Sequence, residues 1–162
     1  MHDEDHDLDP TTVFGGAQQC FGCGPNNPKG MQLKFERDGD EIVSVFEARE
    51  GWEGPPGVLH GGLQATLADE VGAWALIGLR GRFGFTTTMN LRYYRPARME
   101  KPIEARAKIT DESEKMAVVQ VTLRQDGKRI LSGKISYAKV TAALAEKMMG
   151  RALPEDWKHL AG

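Results

Sequence analysis

Residues 54–80 carry the feature that most constrains this chain, a loop rich in glycine and proline that leads into a long apolar segment. Residues 54–57 read Gly-Pro-Pro-Gly, and no regular element crosses such a run. From Leu63 to Leu79 the chain has no proline and no strand-like alternation, and alanine and leucine dominate. This pattern predicts one helix of about four to five turns.

The two sides of the predicted helix differ in the size of their residues. At about 100° per residue, small and polar residues share one side and large apolar residues share the other. The first side holds Gly62, Ala65, Thr66, Asp69, Gly72 and Ala73, and the second holds Leu63, Leu67, Val71, Trp74 and Ile77. Because most of the circumference is apolar or small, we expect the helix to be buried nearly all round.

Asp69 is the residue of this helix that could carry chemistry. A carboxylate inside an apolar helix is costly unless it is paired, hydrated or used. Gly61 and Gly62 lie at the helix N-terminus, where unpaired N–H groups and the positive end of the dipole can receive an oxyanion. A carboxylate about two turns from a site that can receive an oxyanion is compatible with acyl transfer. The residues alone leave other interpretations open: the glycines can form a simple turn, Asp69 can be solvated or salt-bridged, and Glu70 can be the buried acid.

Length and charge bound the class of protein. The 162 residues predict one domain with a sizeable core. Lys and Arg number 21 against 23 Asp and Glu, a formal net charge of −2, which gives no overall attraction to nucleic acid. No apolar run approaches a membrane span and the acidic N-terminus is unlike a signal peptide, so we expect a cytoplasmic protein without membrane contact. Residues 1–17 hold little to bury and are predicted to form a disordered tail.

The two cysteines of the chain form the motif Cys20-Phe-Gly-Cys23. One pair in a reducing compartment does not indicate a disulfide framework, and a tetrahedral metal site needs about four ligands. Redox motifs of this spacing usually open a helix, whereas Gly24, Pro25 and Pro28 predict a loop here. The sequence therefore favours two packed thiols in a loop and no metal, with metal binding and redox chemistry as the alternatives.

Six segments with period-two alternation predict strands. They are Met31–Arg37, Ile42–Ala48, Phe85–Tyr94, Ile103–Asp111, Ala117–Gln125 and Lys128–Val140. Tight turns predict antiparallel neighbours, and one apolar helix beside one antiparallel sheet requires the sheet to curl around the helix. We expect this α+β domain to span 18–141, followed by a helix at Ala142–Arg151 and a tail, over 142–162. The free edges of the sheet favour self-association.

Three segments resemble the hotdog-fold thioesterase superfamily, closest to its phenylacetate-pathway (PaaI-like) and thioesterase-superfamily-member branches. His60-Gly-Gly, then six residues, then Asp69 is similar to the motif of that family, and residues 20–31 and 86–96 resemble two further segments of it. The resemblance covers about residues 20–140. It implies a long central helix wrapped by a curved antiparallel sheet of about six strands, in dimers or tetramers with the active site between subunits.

The resemblance also implies roles for individual residues in an acyl-CoA thioesterase that needs no cofactor. Asp69 would act as general base or nucleophile, the Gly61 N–H would polarise the thioester carbonyl, and His60 would hold the loop or the substrate. Thr86 would orient the attacking water, although one of the two following threonines could take this place. The candidate substrate-binding residues are Gly62, Glu70, Thr87, Thr88 and Arg95. A non-catalytic acyl-CoA-binding protein is the alternative function, since fold does not determine activity.

Basic residues cluster after Thr88 and are candidates for the nucleotide phosphates of coenzyme A. They are Arg92, Arg95, Arg98 and Lys101. The alternative is that these side chains are ordinary solvated charges. Trp52, Trp74, Phe83 and Phe85 could line an apolar pocket for an acyl group, or could equally belong to the core.

Overall fold

The structure of the protein is a computed structural model that describes residues 6–162. Its elements are α1 (Pro10–Phe14), β1 (Glu36–Asp38), β2 (Glu41–Phe46), α2 (Gly61–Arg80), β3 (Gly84–Tyr93), β4 (Ile103–Glu112), β5 (Met116–Gln125), β6 (Lys128–Lys139), α3 (Ala142–Met149) and a C-terminal 3₁₀ helix (Glu155–Leu160). The six strands form one antiparallel sheet beside the long helix α2. The predicted α+β fold is therefore confirmed.

The strands are not arranged in chain order. The order across the sheet is β1-β2-β4-β5-β6-β3, so β3 pairs with β6 rather than with β4. The expectation that tight turns join all of the last four strands is wrong for β3 and β4. Residues 94–102 connect them, and this segment contains Pro96 and Pro102, which cannot donate to a sheet. In the observed order β3 lies at the edge of the sheet opposite to β1.

Helix α2 matches the prediction in position, but the expectation that it is buried nearly all round holds only for its C-terminal half. Trp74 is 1% exposed and stacks on Phe35 with ring centroids 4.5 Å apart. Gly81 ends the helix in the left-handed region at φ 63°. The side with small residues remains partly exposed from Gly62 to Ala73, while the other side and the C-terminal half are buried against the sheet. Helix packing therefore leaves one face of the N-terminal half free, and Asp69 lies on it.

The first hairpin is shorter than predicted. Strand β1 begins at Glu36, although Met31, Leu33 and Phe35 are buried as the alternation predicts. The N–H groups of Met31 and Leu33 donate to the carbonyl oxygens of Phe21 and Gly22 instead of to a strand. The segment 31–35 thus packs on the loop that contains the two cysteines.

Both ends of the chain contribute to the core. Residues 10–14 form α1, and Phe14 is 6% exposed and packs edge-on against Trp74 and Trp157. The expected disordered tail over 1–17 is therefore wrong for this segment, because the apolar pair Val13 and Phe14 has a place in the core. Residues 1–5 of that prediction lie outside the described residues. Among residues 6–162 no helix combines the length and apolarity needed to cross a membrane.

Candidate active site

Asp69 lies on the partly exposed face of α2, where strand β3 passes beside it. The Thr86 hydroxyl donates to Asp69 Oδ1 at 2.8 Å. A bulge between Thr86 and Thr88 interrupts the pairing of β3 with β6, and the hydroxyl of the intervening Thr87 donates to the Ser136 carbonyl oxygen at 3.0 Å. Of the three consecutive threonines only Thr86 contacts Asp69, and the bulge decides this register.

Tyr137 holds Asp69 from inside the protein. Its hydroxyl donates to the Asp69 carbonyl oxygen at 2.8 Å and lies 3.2 Å from Asp69 Oδ1. Burial and the neighbouring Asp69 carboxylate raise the pKa of Tyr137, so the phenol stays a donor. A Cβ at Gly72 would lie 2.3 Å from the Tyr137 oxygen, which explains a glycine inside the helix. Sequence reasoning missed Tyr137, which lies 68 residues from Asp69.

The second carboxylate oxygen of Asp69 is left without a partner. Within the described part of the chain, no side chain or backbone group donates to Asp69 Oδ2. One oxygen is therefore held by protein hydroxyls and the other is available to solvent or a ligand. This is the arrangement that a general base requires.

The two glycine amides at the N-terminus of α2 differ in their hydrogen bonding. His60 is the N-cap, and its Nδ1 accepts from the Gly62 N–H at 2.9 Å. The Gly61 carbonyl oxygen accepts from the Tyr93 hydroxyl at 2.7 Å, but no acceptor is found for the Gly61 N–H among residues 6–162. The amide of Gly61 is thus the free donor of the glycine pair, and the amide of Gly62 is already occupied.

Gly61 and Asp69 lie at different places along the helix. Eight residues at 1.5 Å of rise separate them by about 12 Å. A single thioester carbonyl group cannot touch both the Gly61 amide and the Asp69 carboxylate of one chain. The two expected catalytic groups are therefore not brought together within a single protomer.

A cavity of about 260 Å³ opens beside Asp69 and Thr86. Its apolar wall is largely aromatic and comes from four parts of the chain: Phe14, Trp74, Phe83 with Phe85, and Trp157. The Trp157 Nε1–H donates to the Phe14 carbonyl oxygen at 2.8 Å, which ties the C-terminal 3₁₀ helix to α1. Trp74, Phe83 and Phe85 were candidates from the sequence, whereas Trp52 packs elsewhere on Phe46.

Glu70 faces the same cavity together with the two cysteines. The Cys20 sulfur lies 3.5 Å from Glu70 Oε1, and the Cys23 N–H donates to the Cys20 sulfur at 3.4 Å. Hydrogen bonds from the Cys23 thiol and from backbone N–H groups lower the pKa of the Cys20 thiol to about 5. Burial, with the charge of Cys20 nearby, raises the pKa of Glu70 to about 8. The sequence placed Glu70 among the substrate-binding residues and did not connect it to the cysteines.

The remaining candidate residues lie away from Asp69. Thr88 is exposed on β3, and Arg95 lies beyond the far end of that strand, where its Nη1 donates to the Arg129 carbonyl oxygen at 2.9 Å. Lys101 is paired with Asp126 at 2.5 Å. Tyr93 brings the start of this basic segment next to Gly61. Arg95 follows the end of β3 opposite to Thr86 and is therefore remote from Asp69 of the same chain.

Comparison with known proteins places this geometry in a family. The profile of the thioesterase superfamily matches residues 56–132, which include α2, β3 and the candidate site residues on them. The mouse protein named acyl-coenzyme A thioesterase 13 is 32% identical over 98 residues, which are 59% of this chain and 70% of the relative.

Solved structures support the same assignment. Mouse thioesterase superfamily member 2 is 27% identical, with a TM-score of 0.59 over 65% of this chain and 80% of that one. A thioesterase from Haemophilus influenzae shares the fold with a TM-score of 0.68 at 20% identity, over 85% of this chain and 93% of that one. The family profile and the relative that is 32% identical over 70% of its length, together with the shared fold, show that this chain belongs to the hotdog-fold thioesterase superfamily.

Proposed function

We propose that this protein hydrolyses the thioester of an acyl-coenzyme A, with Asp69 as the catalytic carboxylate. The observation that carries the proposal is the state of that side chain. Thr86 and Tyr137 hold one oxygen, the other has no donor among the described residues, and Asp69 lines a cavity with an aromatic wall. Its relatives named acyl-coenzyme A thioesterase support the same reaction class.

The chemistry needs few groups because a thiolate leaves without strong acid assistance. Asp69 takes a proton from water, the water oxygen bonds to the carbonyl carbon, and the carbonyl oxygen becomes an oxyanion that an amide stabilises. When the oxyanion collapses, the C–S bond breaks and the thiolate of coenzyme A takes up the proton. One carboxylate and one oxyanion site therefore suffice. Direct attack by Asp69 on the carbonyl carbon is the alternative route.

The oxyanion site is best supplied by a second copy of the chain. The Gly61 amide and the Asp69 carboxylate of one chain are about 12 Å apart along α2, too far for one carbonyl group. Among the described strands β3 lies at an edge of the sheet, and the exposed face of α2 carries small residues that permit close approach. We therefore propose a homodimer, or a tetramer made of two such dimers. In it the Gly61 amide of one subunit stabilises the oxyanion that forms beside Asp69 of the other subunit.

The cavity and the basic segment suggest how a substrate is held. The aromatic wall suits the apolar acyl group, because its rings bury large area at low entropic cost. The chain passes the N-terminal end of α2 at Tyr93, which donates to Gly61, and at Arg98, which pairs with Val58. We therefore propose that Arg92, Arg95 and Arg98 of the opposite subunit meet the phosphates of coenzyme A. His60 would keep the amide of Gly61 in place by capping the helix.

A panel of acyl-coenzyme A substrates, followed by release of free thiol, tests the reaction. Asp69→Asn should lower kcat by about 10²–10⁴-fold, the range for loss of a general base. Asp40→Asn, in the exposed turn after β1, is the matched control and should leave kcat unchanged. If wild-type protein binds acyl-coenzyme A without turnover, the chain is an acyl-CoA-binding protein and the enzymatic proposal is wrong.

Mixed dimers test the shared site. Asp69→Asn and Gly61→Pro proteins are each expected to be inactive, but a heterodimer of the two has one intact pair. Random mixing makes half of the dimers heterodimers with one working site of two, so about a quarter of wild-type activity should return. No recovery after verified subunit exchange would mean that Gly61 and Asp69 of opposite subunits do not form one site, and the proposal of a shared site would be wrong.

A further inference from the structure

Three metal-ligating side chains meet at one end of the cavity. Sulfur atoms of Cys20 and Cys23 and a carboxylate oxygen of Glu70 all lie within 4.8 Å of one another. The cysteines come from the loop before β1, and Glu70 comes from α2, next to Asp69. In the part of the chain that the structure describes, no other group of three such side chains is this close.

The spacing fits a tetrahedral cation. With zinc–sulfur and zinc–oxygen bonds of about 2.3 and 2.0 Å, two ligands of a tetrahedral site lie roughly 3.5 Å apart. Cys20 Sγ and Glu70 Oε1 are 3.5 Å apart. Both sulfurs also face N–H donors, from the Cys23 backbone at 3.4 Å and from Gln18 Nε2 at 3.9 Å. A bound cation would displace the thiol protons, because the thiolate is the form that binds metal.

The backbone of the loop is shaped around this cluster. A Cβ at Gly22 would lie 2.3 Å from Glu70 Cδ, and a Cβ at Gly24 would lie 2.6 Å from the Cys20 carbonyl oxygen. Gly22 therefore allows the loop to close over a carboxylate, and Gly24 allows the turn that brings the cysteines together.

The cluster has no positive partner from the protein. Within residues 6–162, no Lys, Arg or His forms an ion pair with Glu70. Two thiols and a carboxyl group that are largely enclosed need either protons or a cation to balance their charge. A disulfide between Cys20 and Cys23 would join the sulfurs and leave Glu70 without a partner. A cation would satisfy all three groups. The sequence alone did not reveal Glu70 as the third.

We propose that Cys20, Cys23 and Glu70 bind one divalent cation of the zinc class, with solvent from the cavity as the fourth ligand. Two thiolates favour zinc over magnesium or calcium, and three protein ligands with one open position are usual for zinc sites that face a cavity. Bound metal would fasten the cysteine loop and the segment 31–35 to α2, and would complete one wall of the cavity beside Asp69. This inference does not depend on the proposed hydrolysis.

Metal binding by the purified chain tests the site directly. Protein stripped with a chelator is reloaded with zinc and its metal content is measured by mass spectrometry, with cobalt titration as a second readout. We expect one zinc per chain and a sulfur-to-cobalt charge-transfer band. Cys20→Ser, Cys23→Ser and Glu70→Gln should each weaken zinc binding at least ten-fold. Glu50→Gln, an exposed acid remote from the cluster, should bind as the wild type does.

Several outcomes would overturn the site. They are absence of stoichiometric zinc in the reduced wild-type chain, isolation of a stable Cys20–Cys23 disulfide that excludes metal, and unchanged zinc affinity in Glu70→Gln. The last would mean that the thiols alone bind the ion. Glu70→Gln keeps the shape of the side chain, so it decides the question even where a serine variant fails to fold by circular dichroism. Because no readout uses activity, the result is separable from that of the thioester assay.

Discussion

Replacement of Gly61 by proline removes the backbone N–H that is proposed to stabilise the oxyanion, and it changes little else. Gly61 is the first residue of α2, the helical position at which proline is favoured, because its N–H has no partner within the helix. His60 before it has φ −53° and ψ 133°, the extended conformation that a following proline requires. A β carbon at residue 61 would contact the Tyr93 ring at 3.7 Å, an ordinary distance. The substitution therefore fits the backbone.

The expected effects on stability and on catalysis are very different. Since no hydrogen bond of the Gly61 N–H is lost, the free energy of unfolding should change by no more than about 1 kcal/mol. Loss of one oxyanion donor should lower kcat by about 10²–10³-fold, or roughly 3 to 4 kcal/mol of transition-state stabilisation. Gly61→Ala keeps the N–H and has the same β carbon, so it is the matched control for the added bulk.

Steady-state hydrolysis of an accepted acyl-coenzyme A substrate and denaturant unfolding measure the two quantities. The reasoning predicts a Gly61→Pro protein with near wild-type stability and a kcat at least a hundred-fold below that of Gly61→Ala. A proline variant that is folded, dimeric and as active as the alanine variant would show that this amide does not hold the oxyanion.

Three further predictions concern the surroundings of Asp69 and the sheet. Thr86→Val should lower kcat about ten-fold with little change in KM, because the Thr86 hydroxyl holds Asp69. Thr87→Val is the control and should leave kcat unchanged, because the Thr87 hydroxyl donates to the Ser136 carbonyl oxygen. Equal effects on kcat would argue against an orienting role of Thr86. Gly72→Ala should destabilise the protein by about 2 kcal/mol, because the new β carbon would lie too close to the Tyr137 oxygen. In a double-mutant cycle, Tyr137→Phe should relieve much of that loss of stability. Strictly additive losses of stability would contradict the contact. Partial burial acts to raise the pKa of Glu112, but hydrogen bonds from Lys139 and Arg80 outweigh it and lower that pKa. Its stabilisation should be present above the unfolded pKa of about 4.3 and be lost as pH falls through the lower folded value, so Glu112→Gln should cost about 1 kcal/mol in unfolding experiments at pH 7 and little at pH 3.

Much of the fold was predictable because its signals are local. The helix at 61–80, five of the six strands and the short helix at 142–149 follow from periodicity and turn residues, whereas the alternation over 31–35 predicted burial but not a strand. The strand order was not predictable in the same way. Which edge accepts β3 depends on pairing with β6 some 45 residues later, and no local pattern encodes that choice.

The candidate site divides along the same line. The sequence by itself pointed to Asp69, the Gly61 amide and Thr86, because these residues lie in short motifs with a recognisable spacing. Only the tertiary structure joined Tyr137 to Asp69, Glu70 to the two cysteines, and Phe14 to Trp157, since each pair is brought together from at least 47 residues apart along the chain. The physical reason is that hydrogen bonds, ligand geometry and cavity walls act through space. Chain position determines local conformation, but packing of the helix on the sheet decides which distant side chains meet.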